Sequence, residues 1–467
     1  MRQIMIAGVS SGVGKTTLTL GIMQALKNKG LDVQPYKVGP DYIDTGFHCR
    51  VCERPSINLD EFMIPDDAVL KSLYLRALLD ADIGVVEGVM GLYDGFGVDK
   101  RYCSSAGIAQ KLNIPVILVI DGKATSTSAA AVVKGFMELD PTVNIEGVIV
   151  NRVASHSHYQ LIKEAIERYN SIKVIGYLKK NLSIELPSRH LGLVPDSELV
   201  DLDRKLETLA QEISETVDLD QLIQCAEMVG QKKDEIQTFI TQSLTEFDDQ
   251  IDGRGVTMAI AEDCAFSFYY PDNLSLLENI GVTLIPFSPL VDDRVPNADA
   301  YYFGGGFPEL FAETLSENKS MLTSIREASN QGKIIFAECG GLMYLGETFK
   351  DQADRKYELV GLISGTSYMT SRLKRFGYCS FEPIQDMILA QTGWELRGHE
   401  FHHSDFDSTE AYFGVSHKTR DGIVLKEWKS GYAKDNLFAS YLHIHFYQDP
   451  KFVKRWMEVI KQRKLER

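Results

Sequence analysis

The stretch IMIAGVSSGVGKTT, residues 4–17, runs from an apolar segment into a glycine loop and on into helix-prone sequence. Gln3–Ala7 reads as a strand and Lys15–Lys29 as a helix ended near Gly30. Between them, Gly12, Val13, Gly14, Lys15, Thr16 and Thr17 form the core of a phosphate-binding loop. Glycines let backbone N–H groups approach phosphate oxygens, and the following helix N-terminus adds its positive dipole end. Lys15 is expected on the β- and γ-phosphates of ATP and Thr16 on Mg2+. The bland alternative is a glycine-rich strand–helix turn that binds no nucleotide. The order of strand, Gly-Lys-Thr and helix favours the phosphate loop.

Outward from this loop, Asp82–Val86, Val116–Ile120 and Gly147–Val150 read as further strands, each followed by a helical or loop segment. Continuous apolar runs alternating with helices predict an α/β fold with a doubly wound, mostly parallel sheet. From Asp196 to Arg254 the chain becomes charged and helix-prone, as expected of helices closing a first domain and a linker ending at residues 251–255. A second α/β pattern follows, with strands at Gly255–Ala261, Thr283–Phe287, Ala300–Phe303 and Lys333–Ala337 and a helix at Ser275–Gly281. The expected division is residues 1–200, a helical charged linker at 201–254, a second domain at 255–450, and a basic helix or tail at 451–467.

A net charge of −16 over 467 residues argues against a nucleic-acid partner, which needs a basic surface. Seven cysteines, an odd number on a long chain, fit a reduced cytoplasmic setting better than a secreted disulfide framework. Strand and glycine loop begin at once, leaving no room for a cleavable signal, and no apolar run is long enough to span a bilayer.

Two acidic clusters could hold magnesium. Asp41 and Asp44 lie in KVGPDYID after the first crossover helix, and Glu87 directly follows the strand Asp82–Val86. Ligands bind at the carboxyl ends of strands in such sheets, so Glu87 and Asp41, with Thr16, are the expected metal holders. Asn151, after a later strand, and the segment Pro187–Leu193 resemble the adenine-side segments of dethiobiotin-synthetase-like enzymes, which implies Asn151 as a reader of the nucleotide base.

In the second half, IIFAECGGLMYL at residues 334–345 reads as strand, tight turn and helix with Cys339 at the turn. A thiol there is exposed as a nucleophile, and the helix end is expected to lower its pKa. Gly340, with Gly305 and Gly306 of the loop FGGGFPE, supplies oxyanion donors. A thiol nucleophile needs a histidine base. YLHIHF supplies His443 as base, with His445 expected on the same strand face. HEFHH at 399–403 contains H-E-x-x-H, but its surroundings read as strand or loop, whereas zinc needs that motif on a helix. Cys49-x-x-Cys52 has no second pair and reads as chance.

The usual phosphate-loop pattern puts its first glycine at the position of Val9; here it is Gly8, one place earlier, a spacing that resembles the dethiobiotin-synthetase-like enzymes, which activate carboxylates with ATP. Ser10 replaces the signature lysine of partitioning ATPases. Taken together, GVSSGVGKTT, KVGPDYIDTGFH, VVEGVMGLYDG, YYFGGGFPE, FAECGGLMYLG, GHEFHHS and ASYLHIHF resemble the cobyrinate a,c-diamide synthase family along nearly the whole chain. That resemblance implies a phosphate-loop domain followed by a class I glutamine amidotransferase-like α/β domain. It implies ATP- and glutamine-dependent amidation of the a- and c-acetate arms of cobyrinate through acyl phosphates, in cobalamin biosynthesis. The implied partners are L-glutamine and a tetrapyrrole polycarboxylate, with no membrane and with a homodimer left open. Asp41, Asp44 and Glu87 match the family's acidic active-site positions, Tyr42 and Ile43 lie where the acetate arms are met, and Cys339 and His443 match its glutaminase pair. His445 departs from the orienting glutamate that class I glutaminases usually carry, and Thr45 departs from a frequent proline. Rival substrates are hydrogenobyrinate and nickel sirohydrochlorin. Rival classes are a phosphate-loop switch with a non-catalytic tail and a zinc hydrolase built on His399 and His402.

Overall fold

The computed structural model describes residues 1–180, 188–189, 192–193, 201–420 and 422–466. The chain divides into two compact units, Met1–Glu61 with Asp66–Ser243, and Phe62–Pro65 with Leu244–Arg467. Of the segment Pro187–Leu193, considered above for base recognition, only the backbone pairs Ser188–Arg189 and Gly192–Leu193 are described.

The first unit is built on β1 (Arg2–Gly8), β2 (Val33–Val38), β3 (Ile57–Leu59), β4 (Ile83–Glu87), β5 (Val116–Asp121), β6 (Ile145–Val153) and β7 (Lys173–Lys179). They run parallel in the order β3-β2-β4-β1-β5-β6-β7, and Glu227–Met228 pairs antiparallel with β1. The order reverses at β1, so the crevice beyond its carboxyl end is a natural ligand position. The glycine loop leaves β1 there and enters α1 (Lys15–Asn28). Leu202–Thr216 forms a helix whose Leu202, Leu206, Leu209, Ala210 and Ile213 are buried in the same core as α1. Each buried leucine there contributes about 2 kcal/mol of burial. Gly21 of α1 permits the close approach, since a Cβ there would lie 2.8 Å from Leu209 and Ile213. Residues 202–226 therefore contribute to the first core, and the boundary between compact units falls at Ser243/Leu244.

The second unit holds a six-stranded sheet in the order Thr283–Phe287, Thr257–Ala261, Ala300–Phe303, Ile334–Glu338, Leu437–Ser440 and Tyr432–Lys434. The first five strands are parallel and the last is antiparallel. Residues 346–430 and 443–444 build two further sheets, of four and five strands. The C-terminal helix Pro450–Leu465 buries Phe452, Val453, Trp456, Met457 and Ile460, with the Trp456 ring against Tyr302, Phe336 and Phe446. Its basic side chains lie on the outer face of an otherwise core-forming helix.

Among the described residues, no helix is long and apolar enough to cross a membrane.

Candidate active sites

At the first site the glycine loop is shaped by left-handed glycines, with φ of +72° at Gly12 and +94° at Gly14. Such φ values suit a residue without a Cβ. Lys15 donates to the carbonyls of Ser10, at 3.2 Å, and Met90. Burial and the neighbouring Lys37 ammonium pull its pKa down to about 8. Thr16 donates its hydroxyl to Glu87 Oε1 at 2.5 Å and lies 3.4 Å from Asp44 Oδ2.

Lys37 and Glu87 are register partners on β2 and β4. The Lys37 ammonium bridges Asp44 Oδ2 at 2.7 Å and Glu87 Oε1 at 2.9 Å. Burial opposes charge on Lys37, but Asp44 and Glu87 outweigh it and raise the pKa. Burial also opposes charge on Glu87, yet Lys37, His48 and Thr16 hold its carboxyl well below the usual carboxylate range. Asp44, buried beside Asp41 and Glu87, is pushed up to about 7 despite Lys37. His48 closes the network with Nε2 2.7 Å from Glu87 Oε2 and Nδ1 3.1 Å from Ser56 Oγ.

This is a set of hard oxygen donors, a hydroxyl and two carboxylates, of the kind Mg2+ takes. Asp41 closes the turn beside this cluster. Its Oδ1 accepts from the N–H groups of Ile43 and Asp44, both at 2.8 Å, capping α2 (Ile43–Cys52). The cap aims Asp44 and, one turn on, His48 toward Glu87. Tyr42 and Ile43 sit at the start of α2, with Ile43 packed partly against the core. Asn151 braces the loop: its amide nitrogen donates to Val13 O at 2.8 Å and its oxygen accepts from Arg152 N at 2.8 Å. Thr17 lies within the first turn of α1.

At the second site Cys339 has φ 47° and ψ −101°, a strained backbone of the sort stored at nucleophile elbows. Its N–H donates to Ser440 O at 2.7 Å and Gly341 N–H to Gly304 O at 3.1 Å. A Cβ on Gly340 would lie 3.1 Å from Gly306 N, and one on Gly305 would strike the His443 ring. The glycine loop thus touches both the residue after the nucleophile and the base. Tyr269 holds that loop by accepting from Gly304 N–H at 2.7 Å.

The expected lowering of the thiol pKa is overturned. Burial pushes Cys339 up, and Glu309 adds to it, while the Gly340 N–H only partly opposes them. A six-residue helix is too short to outweigh burial. His443 is held well below its ordinary value by burial and by His399 and His402, so its ring is neutral.

The strand expected to carry both His443 and His445 is short. The strand is only His443–Ile444, and His445 turns into a 3-10 helix, where its Nδ1 accepts from Tyr447 N–H. His443 instead stacks on its cross-strand partner His399, with centroids 4.9 Å apart and planes at 13°. His399 lies on the strand Leu396–His402, and its Nε2 meets Tyr270 Oη at 2.8 Å. Three residues apart on a strand, His399 and His402 point to opposite faces, not to one ion. His402 stacks on Tyr441 on the other side. That side opens into a cavity of about 440 Å³ lined by Leu342, Arg375, Glu400, His402, Trp428 and Tyr441. Leu342 and Tyr441 are close sequence neighbours of Cys339 and His443.

Residues 4–194 match the CobQ/CobB/MinD/ParA nucleotide binding domain, and residues 257–451 the CobB/CobQ-like glutamine amidotransferase domain. The cobyrinate a,c-diamide synthase of Streptococcus sanguinis is 53% identical over 99% of this chain and 100% of its own. That of Listeria monocytogenes serotype 4b is 54% identical over 96% and 97%, and that of Salmonella typhimurium 47% over 97% and 96%. The chain belongs to the cobyrinate a,c-diamide synthase family.

As a member of that family the chain has both a nucleotide-binding and a glutamine amidotransferase domain. The structure brings Thr16, Asp44 and Glu87 together, and separately Cys339, Gly340, Gly305, Gly306 and His443. It adds Lys37 and His48 to the first group. Both carried a signal in the sequence. Lys37 ends an apolar run one strand from Glu87, and His48 follows Asp44 at a helical i, i+4 spacing. All seven cysteines are free, and Cys49 and Cys52 lie in α2.

Proposed function

We propose that the chain is an ATP- and glutamine-dependent ligase that amidates the a- and c-acetate carboxylates of cobyrinate. The observation that carries this reading is the presence, in one chain of this family, of an acid-ringed phosphate loop and a strained cysteine elbow whose neighbouring glycine loop packs on a neutral histidine. A cytoplasmic setting fits the free thiols and the need for ATP and glutamine.

Lys15 and the N–H groups of residues 12–17 hold the triphosphate, and Asn151 keeps the loop in shape. Thr16 and Glu87, with Asp44 beside them, hold Mg2+, while Asp41 sets the loop that carries Asp44, Tyr42 and Ile43 toward the substrate. Bound Mg2+ neutralises charge on the phosphoryl oxygens. The substrate carboxylate attacks the γ-phosphorus, ADP leaves, and ammonia then displaces phosphate from the acyl phosphate to give the amide.

In the glutaminase half, the Cys339 sulfur attacks the amide carbon as His443 takes the thiol proton. His443 returns that proton to the leaving ammonia, and water releases glutamate from the thioester. Backbone N–H groups of the 305–306 loop and Gly340 face the oxyanion. Glutamine's head is a zwitterion, and the mixed-charge cavity suits it, with Glu400 for the ammonium and Arg375 for the carboxylate. Arg375→Ala is expected to raise the KM for glutamine about tenfold while leaving ammonium-driven amidation intact. A change confined to kcat would remove Arg375 from glutamine binding.

The pH dependence of ATP binding follows from Lys15. A triphosphate raises a lysine pKa, so ATP binds the protonated form. Affinity is level below pH 8 and falls above it by up to about tenfold per pH unit. Titration calorimetry in buffers of different ionisation enthalpy should show proton uptake on binding near pH 8, and none at pH 6.5. A flat affinity from pH 7 to 9.5 would contradict this.

The substrate itself is tested by incubating cobyrinate, hydrogenobyrinate and nickel sirohydrochlorin each with ATP, Mg2+ and glutamine. Mass spectrometry should find two amides added to cobyrinate. Turnover of another ring in preference would reassign the acceptor.

A further inference from the structure

A neutral imidazole base works only if its ring is held against the nucleophile. His445 lends its Nδ1 to the cap of the helix that follows. The stacked His399 is the cross-strand partner of His443 and restrains the plane of its ring. Glu338, the last residue of the elbow strand and 1% exposed, adds a side-chain hold on the next residue. Its Oε1 accepts from Ile444 N–H at 2.9 Å, and its Oε2 accepts from Tyr302 Oη at 2.6 Å. Asn273 takes the other side of the same residue, donating to Ile444 O at 2.9 Å and accepting from Phe446 N–H at 2.7 Å. The residue after the base therefore has both backbone groups held by buried side chains. One of those side chains is the immediate neighbour of Cys339.

We propose that Glu338 is a positioning residue of the glutaminase site, a buried hydrogen-bond clamp that fixes His443 against the Cys339 elbow. This rests on the reading of Cys339 and His443 as the glutaminase pair. Two ties join the elbow to the strand that carries the base: Cys339 N–H to Ser440 O at 2.7 Å, and Glu338 to Ile444 N–H. They bracket residues 441–443, so the His443 ring is presented from a segment anchored at both ends. Burial pushes the Glu338 carboxyl up to about 8, against the pull of the hydrogen bonds from Tyr302 and Ile444.

The test compares three substitutions in the full chain, reading kcat and KM for glutamine, the ammonium-driven rate, and thermal unfolding. In Glu338→Gln the amide oxygen can accept from Ile444 N–H and the amide nitrogen can donate to Tyr302, so at least about a third of kcat is retained. In Glu338→Ala kcat falls about 30-fold with KM within about threefold, and the ammonium-driven rate is kept. Where the alanine variant fails to fold, Glu338→Asp decides. It keeps the acid but is one methylene too short for both partners, and kcat falls about tenfold. Turnover near wild type in the alanine or aspartate variant overturns the clamp. So does a glutamine variant as impaired as the alanine one, which would make negative charge the working property. If the wild type releases no glutamate from glutamine, the glutaminase reading itself fails, a result distinct from any of these.

Discussion

Cys339→Ser is expected to abolish glutamine-dependent amidation, with a loss of at least about 1,000-fold in kcat, while added ammonium salt restores turnover. The substitution is close in size and keeps the backbone geometry, so the cost of φ 47° is the same in both proteins. What changes is acidity and nucleophilicity. The surroundings of Cys339 already push the proton on, through burial and the nearby Glu309. A thiol in that setting still passes its proton to a neutral His443 as the sulfur attacks. A hydroxyl, far less acidic, does not. The ammonium-driven reaction bypasses the elbow and depends on the phosphate-loop unit alone. The measurement is amide product per minute with glutamine and with ammonium chloride, on protein whose unfolding temperature is unchanged. Equal loss of both activities would refute the division of labour between the two units.

Glu87→Gln is expected to lower kcat for amidation at saturating glutamine by about 100-fold, a loss of about 2.7 kcal/mol in transition-state stabilisation. Glu87 is fully buried, and its charge is sustained by Lys37 at 2.9 Å, His48 at 2.7 Å and Thr16 at 2.5 Å. Glutamine keeps the shape and one acceptor oxygen but turns the other position into a donor. The side chain then faces the Lys37 ammonium or the His48 ring with an N–H, and the negative charge that a divalent cation would neutralise is gone. Loss of that anion also leaves Lys37 with Asp44 as its remaining close carboxylate, so a modest fall in unfolding temperature accompanies the loss of activity. A binding measurement separates the two effects. ATP affinity without Mg2+ should change little, while the tightening that Mg2+ brings should shrink. Near-normal turnover would remove Glu87 from the metal site.

Much of this was legible in the chain. A run of apolar residues ending in Gly-x-Gly-Lys-Thr can be read as strand, loop and helix because each step is local: pleat, left-handed glycine, helix start. Cys339 between an apolar strand and two glycines is local in the same way. Other features were not local. The pKa of Cys339 is decided by how deeply the elbow is buried and by Glu309, thirty positions earlier. The sheets of residues 346–430 have weakly patterned strands whose faces are set by packing. The 202–226 helices read as closing material, and their apolar stripe fills the first core.

The sequence by itself determined that Glu87 and Cys339 would stand at the carboxyl ends of strands and Lys15 and Thr16 at the start of the first helix, because a parallel sheet puts the carboxyl ends of its strands and the helix starts that follow them along one edge. Only the tertiary structure decided which side chains complete those edges. Lys37 and His48 join Glu87 through strand register and helix spacing. His399, and Glu338 from beside the nucleophile, take hold of the strand that carries the base. The physical reason is the same in each case. Hydrogen bonds and stacking between residues 39 to 106 positions apart exist only once the strands have been laid side by side.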